Sequence, residues 1–113
     1  MSKEYTEYLR HILDECEFIL RTTSELDELS ELLKDEILKK AIERSLSIIG
    51  EASKKIPVDI KLKWNSIEWK SIAGMRDKLV HDYSGISYRV VWDVIKEKIP
   101  KLKLQIEEVL QNN

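Results

Sequence analysis

The chain has 113 residues, of which 42% are hydrophobic and 35% charged, with only three Gly and two Pro. This length suits one domain, residues 1–113, and the balance is typical of a helical bundle rather than of a turn-rich β protein or a disordered chain. The net charge of −2 argues against a nucleic-acid binder that relies on bulk positive charge. The charge is unevenly distributed along the chain. Residues 1–36 carry 4 Lys/Arg and 11 Asp/Glu (net −7), and residues 37–113 carry 15 Lys/Arg and 10 Asp/Glu (net +5).

Membrane, disulfide and metal signals are missing from the sequence. No apolar run approaches the roughly 18 to 20 residues that a membrane span needs, and the start of the chain, Met1–Tyr5, lacks the apolar core of a signal peptide. A cytoplasmic protein is therefore expected. Cys16 is the single cysteine, and no Cys/His cluster has metal spacing, so we predict no disulfide, no metal and no cofactor.

The first predicted helix has one apolar stripe with steps of four and three: Tyr5, Leu9, Ile12, Cys16 and Ile19. Because Cys16 lies on the stripe, it is predicted to be a small buried side chain rather than a reactive thiol. His11 lies off the stripe and receives no role. Thr22-Thr23-Ser24 interrupts the pattern, and a short helix is predicted around residues 25–30.

A long second helix is predicted from a stripe with the same steps: Leu38, Ile42, Ser45, Ile49, Ala52 and Ile56. Pro57 should end it, because proline has no amide donor and disfavours helix in the residue before it. Residues 57–64 are predicted to be a connector. For Arg44 and Glu51 we predict an ion pair, within the helix or between helices, rather than a catalytic role.

The third helix is predicted to start at a capping box formed by Asn65 and Glu68 and to continue to about Asp82. Trp64 and Trp69 flank this start, and packing is predicted for both rather than base stacking. Gly85 should break the helix.

Ser87 is predicted to cap the last helix, which carries the apolar residues Val91, Ile95, Ile99, Leu102, Ile106 and Val109. Pro100 should kink this helix without ending it. Four main amphipathic helices with short links can bury their stripes only against one another. The expected fold is therefore all-α, an antiparallel bundle of four or five helices with a kinked C-terminal helix.

The chemically active side chains are concentrated in one segment, residues 76–83. Asp77 and His81, four residues apart, share a helix face, so Asp77 could accept a hydrogen bond from one ring nitrogen and orient the other outward. Arg76 could balance charge on phosphoryl oxygens, and an imidazole could move the proton of a 2′-hydroxyl. By spacing alone, a salt-bridged helix end is the simpler interpretation than a catalytic site.

The sequence of residues 69–83 strongly resembles that of the HepT-like branch of the HEPN superfamily. The signature of this branch is Arg, four residues, His, one residue, Tyr. Here these are Arg76, His81 and Tyr83. Residues 41–46 and 48–52 resemble that family's long second helix, and 91–92 its final helix. Ser84 departs from the pattern, since many relatives have an aromatic residue there.

This resemblance implies a metal-independent RNA-cleaving toxin that acts as a homodimer, with two signatures meeting across a cleft. It assigns catalysis to Arg76 and His81. The implied partner is an MNT-type nucleotidyltransferase antitoxin that transfers AMP to Tyr83. The alternative is a non-catalytic HEPN module that binds a nucleotide or a partner protein.

Overall fold

The computed structural model describes residues 4–81 and 86–112, without the side chains of residues 76 and 78–81. These residues form a helical bundle and contain no strand, so the all-α prediction is confirmed. The elements are α1 (Glu4–Thr23), α2 (Leu29–Lys34), α3 (Glu36–Lys54), α4 (Val58–Lys63), α5 (Trp69–His81), α6 (Tyr88–Asp93), a π-helical turn (Val94–Lys98) and α7 (Ile99–Gln111). Within these ranges no helix is long and apolar enough to cross a membrane.

The core lies where α1 packs against both α3 and α7 and where α3 packs in turn against α5. The predicted stripes are confirmed, since Leu9, Ile12, Cys16 and Ile19 in α1 and Ile42 and Ile49 in α3 are all fully buried. Helices α1 and α3 are antiparallel, because residues near the start of α1 and near the end of α3 line the same groove. Burial raises the pKa of the Cys16 thiol from 9.0 to about 12, as expected for a packed rather than a reactive cysteine.

Helix α2 begins at Leu29, so the predicted start near residue 25 was wrong. A capping box at Glu28 and Glu31 fixes this start. The Glu31 carboxylate accepts hydrogen bonds from the backbone amides of Asp27 (2.7 Å) and Glu28 (3.0 Å). These amides hold the pKa of Glu31 below its usual value.

The predicted connector 57–64 contains a helix, α4, which corrects the sequence-based interpretation. Helix α3 ends at Lys54, and Ile56 is buried just beyond that end. Pro57 then precedes α4 as its N-cap, a place where the missing amide of proline costs nothing.

Helix α5 begins at Trp69, so the predicted capping box at Asn65 was also wrong. Glu68 instead points to the end of the π-helical turn, where its Oε1 lies 3.4 Å from Lys98 Nζ. Trp69 donates its indole N–H to the Trp64 carbonyl (3.1 Å) and is buried, while Trp64 packs against the core. The packing role predicted for both tryptophans is confirmed.

The C-terminal helical run starts at the predicted cap, where Ser87 Oγ accepts a hydrogen bond from the Val90 amide (3.4 Å). The π-helical turn precedes Pro100, and the Ile99 amide donates to the Val94 carbonyl five residues back. This wider turn accommodates a proline that has no amide to donate. The helix continues on both sides of Pro100, as predicted. Asp82 and Gly85 lie outside the described residues.

Candidate functional site

The last two turns of α5 carry the predicted catalytic positions, Arg76 and His81. The helix continues through His81, so positions 77 and 81 are one helical turn apart, as the predicted pairing of Asp77 with His81 requires. The side chains of Arg76 and His81, and all of Tyr83, lie outside the described residues. Their mutual geometry, and the hydrogen bond between Asp77 and His81, therefore stay predictions.

Asp77 is the one side chain of the predicted site that the structure describes. Its Oδ1 lies 3.4 Å from Nζ of Lys54, in the last turn of α3. Both side chains are close to half exposed, so this ion pair contributes little to stability. The contact does show, however, that the C-terminal end of α3 lies directly beside the signature on α5.

The chain after the signature is also held against α3. Tyr88, at the start of α6, donates its hydroxyl hydrogen to the Glu43 carboxylate, and Lys39 Nζ lies 5.0 Å from the centre of its ring. Partial burial, followed by the bond to Glu43 and its negative charge, raises the pKa of Tyr88 to about 12. Helix α3 therefore anchors the chain on both sides of residues 82–85.

A groove beside the C-terminal half of α3 brings together residues that lie far apart in the sequence. We call it the α1–α3 groove; it has a volume of about 400 Å³ and is lined by Tyr8, His11, Arg44, Ser47, Ile48, Glu51, Ala52 and Lys55. The rings of Tyr8 and His11 meet edge to face, with centroids 6.3 Å apart. Arg44 and Glu51 line the same wall, and the predicted ion pair between them stays a prediction.

One signal in the sequence pointed to this groove. Arg44, Ile48, Glu51 and Lys55 recur at steps of four and three, which places them on one face of a helix. The sequence could not show that Tyr8 and His11 lie opposite that face. Among the described residues, no group of three or more His, Cys, Asp or Glu side chains is arranged to hold a metal ion.

The family model and the similar proteins all point to the same family. The family model "Ribonuclease HepT-like" matches residues 12–109. A protein of Caldanaerobacter subterraneus, named as a candidate RNase, is 46% identical over 104 residues, which cover 92% of this chain and 92% of that protein.

A Thermococcus cleftensis protein, named as a candidate ribonuclease HepT, is 41% identical over 96% of this chain and 98% of its own. A candidate RNase of Methanocaldococcus jannaschii is 38% identical over 97% of this chain and 90% of its own. No solved structure matches the chain. The chain belongs to the HepT-like ribonuclease family, and its resemblance to that branch of the HEPN superfamily is confirmed.

Proposed function

We propose that this protein is a metal-independent endoribonuclease, the toxin of a toxin–antitoxin pair, acting on cytoplasmic RNA. The observation that carries the proposal is the family match over residues 12–109, which includes Arg76, His81 and Tyr83. The first two lie in the last two turns of one helix, beside the basic end of α3. A non-catalytic HEPN module is the alternative that the experiment below separates.

The proposed chemistry needs a base, an acid and a fixed positive charge. The His81 imidazole takes the proton of a ribose 2′-hydroxyl, and the 2′-oxygen attacks the adjacent phosphorus. The bond from phosphorus to the 5′-oxygen breaks, and this oxygen takes a proton. The products are a 2′,3′-cyclic phosphate and a 5′-hydroxyl. Arg76 stabilises the charge that develops on the phosphoryl oxygens.

We propose that the active form is a homodimer in which two signatures face one cleft. One imidazole then acts as the base while that of the other protomer protonates the leaving oxygen. Apolar surface near the signature supports this assembly. A cavity of about 420 Å³ between α5 and the C-terminal helices is lined in part by Gly74, Met75, Val90 and Val94, and Val90 is 48% exposed.

We further propose that an MNT-type nucleotidyltransferase silences the nuclease by transferring AMP to the Tyr83 hydroxyl. The added phosphate places negative charge close in sequence to Arg76 and His81, and the nucleotide adds bulk. RNA phosphate would then be excluded by repulsion and by occupancy.

The test is cleavage of RNA by purified protein in the presence of EDTA. We expect wild-type protein to cut and to leave cyclic phosphate ends, and His81→Ala and Arg76→Ala each to lose activity by about 10²- to 10⁴-fold. Lys70→Ala, which changes an exposed cation in the first turn of α5, is the matched control and should cut normally.

The thermal unfolding of both inactive variants should match that of the wild type. Loss of wild-type cleavage in EDTA would contradict the metal-independent mechanism. Wild-type protein that binds a nucleotidyltransferase but cuts no RNA, with or without divalent cations, would favour the non-catalytic module.

A further inference from the structure

The α1–α3 groove combines aromatic and cationic side chains outside the signature. We propose that it binds a nucleotide of the single-stranded RNA substrate that flanks the scissile phosphate. The base stacks on the pair Tyr8 and His11, and Arg44 and Lys55 contact two different phosphates of the strand. This inference rests on the proposed nuclease function and names how its substrate is held.

The groove adjoins the signature through α3. Ser47 and Lys54 are seven residues apart on this helix, so they lie on nearly the same line along its surface, about 10 Å apart. Ser47 lines the groove, and Lys54 contacts Asp77, the residue after Arg76. An RNA strand that passes over the signature can therefore continue along α3 into the groove.

The cations of the groove are suited to a phosphate backbone. Arg44 on α3 and Lys55, the residue that caps its C-terminal end, are exposed and eleven residues apart, so they lie three turns apart on one face. A guanidinium forms paired hydrogen bonds with phosphate oxygens, and a lysine ammonium acts as a point charge. Glu51 lies between them on the same face and also lines the groove.

The aromatic pair supplies a surface for a base. His11 is exposed and Tyr8 half-buried, and their planes meet at 84°. A planar base can stack on the face of one ring while it touches the edge of the other. Unstacked RNA bases are commonly held in this way. A groove of about 400 Å³ is in the range of small-molecule clefts, which suits one nucleotide better than a helix of a partner protein.

Affinity for an RNA that cannot be cut tests the groove separately from catalysis. The probe is a fluorescent single-stranded RNA with every 2′-hydroxyl methylated, and binding to the full-length protein is followed by anisotropy across a range of salt concentrations. The variants are Arg44→Gln and His11→Ala. The matched control is Arg21→Gln, which removes an exposed arginine at the opposite end of α1.

We expect Arg44→Gln to weaken binding about tenfold and to reduce the slope of log K against log salt concentration by about 0.7, the value for one lost contact to single-stranded RNA. His11→Ala should weaken binding about fivefold or more with little change in slope, because stacking is not an ion contact. Arg21→Gln should bind like the wild type. With cleavable RNA, both groove variants should raise KM and keep most of kcat.

Arg44→Gln and His11→Ala proteins that bind RNA like Arg21→Gln would overturn the inference. If the wild type still cuts RNA in that case, the proposed nuclease function survives. Wild-type protein that neither binds nor cuts RNA would overturn both. Groove variants that keep RNA binding but lose binding to the nucleotidyltransferase would show a protein docking surface instead, and would also overturn the inference.

Discussion

Helices α1 and α5 bury their apolar side chains to different degrees. In α1, the whole predicted stripe from Leu9 to Ile19 is fully inaccessible to solvent. In α5, Trp69 and Ile72 keep 7% and 8% exposure, and Met75 is only partly buried. Apart from the backbone of α5 itself and the two chain neighbours, no described atom lies within 4 Å of the place where a side chain at Gly74 would begin. Over the side chains that the structure describes, α5 is therefore less completely buried than α1.

This difference suggests that different residues determine the stability of the fold and the proposed activity. Burial of each large apolar side chain in α1 contributes about 1.5 to 3 kcal/mol. In α5, the described apolar side chains Trp69, Ile72 and Met75 are less completely buried, and Asp77 is close to half exposed. Changes at the signature should therefore alter activity while leaving the fold intact, and changes in the stripe of α1 or α3 should do the reverse.

The largest contrast is expected in thiol reactivity. In a Met75→Cys variant, the native Cys16 and the new thiol on α5 compete for iodoacetamide in the same molecule. Since the pKa of Cys16 is about 12 against an ordinary value of 9.0, its thiolate at pH 8 is about a thousandfold scarcer than that of an unperturbed cysteine. Peptide mass spectrometry should find label on position 75 and almost none on Cys16. Equal labelling would show that the core opens as readily as α5.

The same shift in pKa has a consequence for stability. The folded protein keeps the Cys16 proton at a pH where the unfolded chain loses it, so this thiol makes the fold less stable as pH rises from about 9 toward 12. Replacing Cys16 by Ala should reduce this alkaline dependence of the midpoint of urea unfolding.

At the signature end, Tyr83→Phe should leave RNA cleavage intact and prevent neutralisation. The variant lacks the acceptor oxygen but keeps the ring. After incubation with the nucleotidyltransferase and ATP, intact-mass spectrometry should show AMP added to the wild type and none added to Tyr83→Phe. Tyr88→Phe, which removes the phenol bonded to Glu43, is the matched control and should still be modified. If the partner neutralises Tyr83→Phe as fully as the wild type, inhibition comes from complex formation alone.

In the core, two isoleucines of α3 offer a matched pair. Ile49 is fully buried, whereas Ile37 is 84% exposed. Ile49→Ala should lower the free energy of unfolding by about 2 to 5 kcal/mol, because it removes buried apolar area and leaves a cavity. Ile37→Ala should change it by less than about 0.5 kcal/mol. Urea denaturation measures both, and similar losses would contradict the packing described for α3.

The smallest effect is expected at Asp77. If its carboxylate orients the His81 imidazole, Asp77→Asn should lower kcat about tenfold. This fall is smaller than the one expected for His81→Ala, and the affinity for RNA should not change. The carboxylate also contacts Lys54, so Lys54→Gln is the control. Lys54→Gln should keep kcat near that of the wild type. Equal losses of kcat in both variants would assign the effect to the ion pair, and Asp77 would then not be a positioning residue for His81.

The helices that the sequence predicted correctly are those in which the spacing of apolar residues marks one buried face. Steps of four and three in α1 and α3 appear because one face of each helix is inaccessible to solvent. Helix α4 carries no such pattern, since Val58 and Leu62 are 70% and 69% exposed. The capping box at Asn65 failed for a related reason, because Glu68 contacts Lys98, thirty residues away, and not the start of its own helix.

The signature could be recognised in the sequence because its residues lie within eight positions of one another. The family match covers this segment, and the catalytic roles of Arg76 and His81 stay predictions. The sequence by itself thus determined the helical class and the main stripes, and it predicted the segment for the chemistry, because all three depend on neighbours along the chain.

Only the tertiary structure decided what surrounds that segment. Packing of α1 against α3 brings Tyr8 and His11 to Arg44, more than thirty residues away, and packing of α3 against α5 brings Lys54 to Asp77. Periodicity shows that a helix face is buried but not which other helix covers it. The partners of each face, and the groove beside the signature, are fixed by how the helices fit together in space.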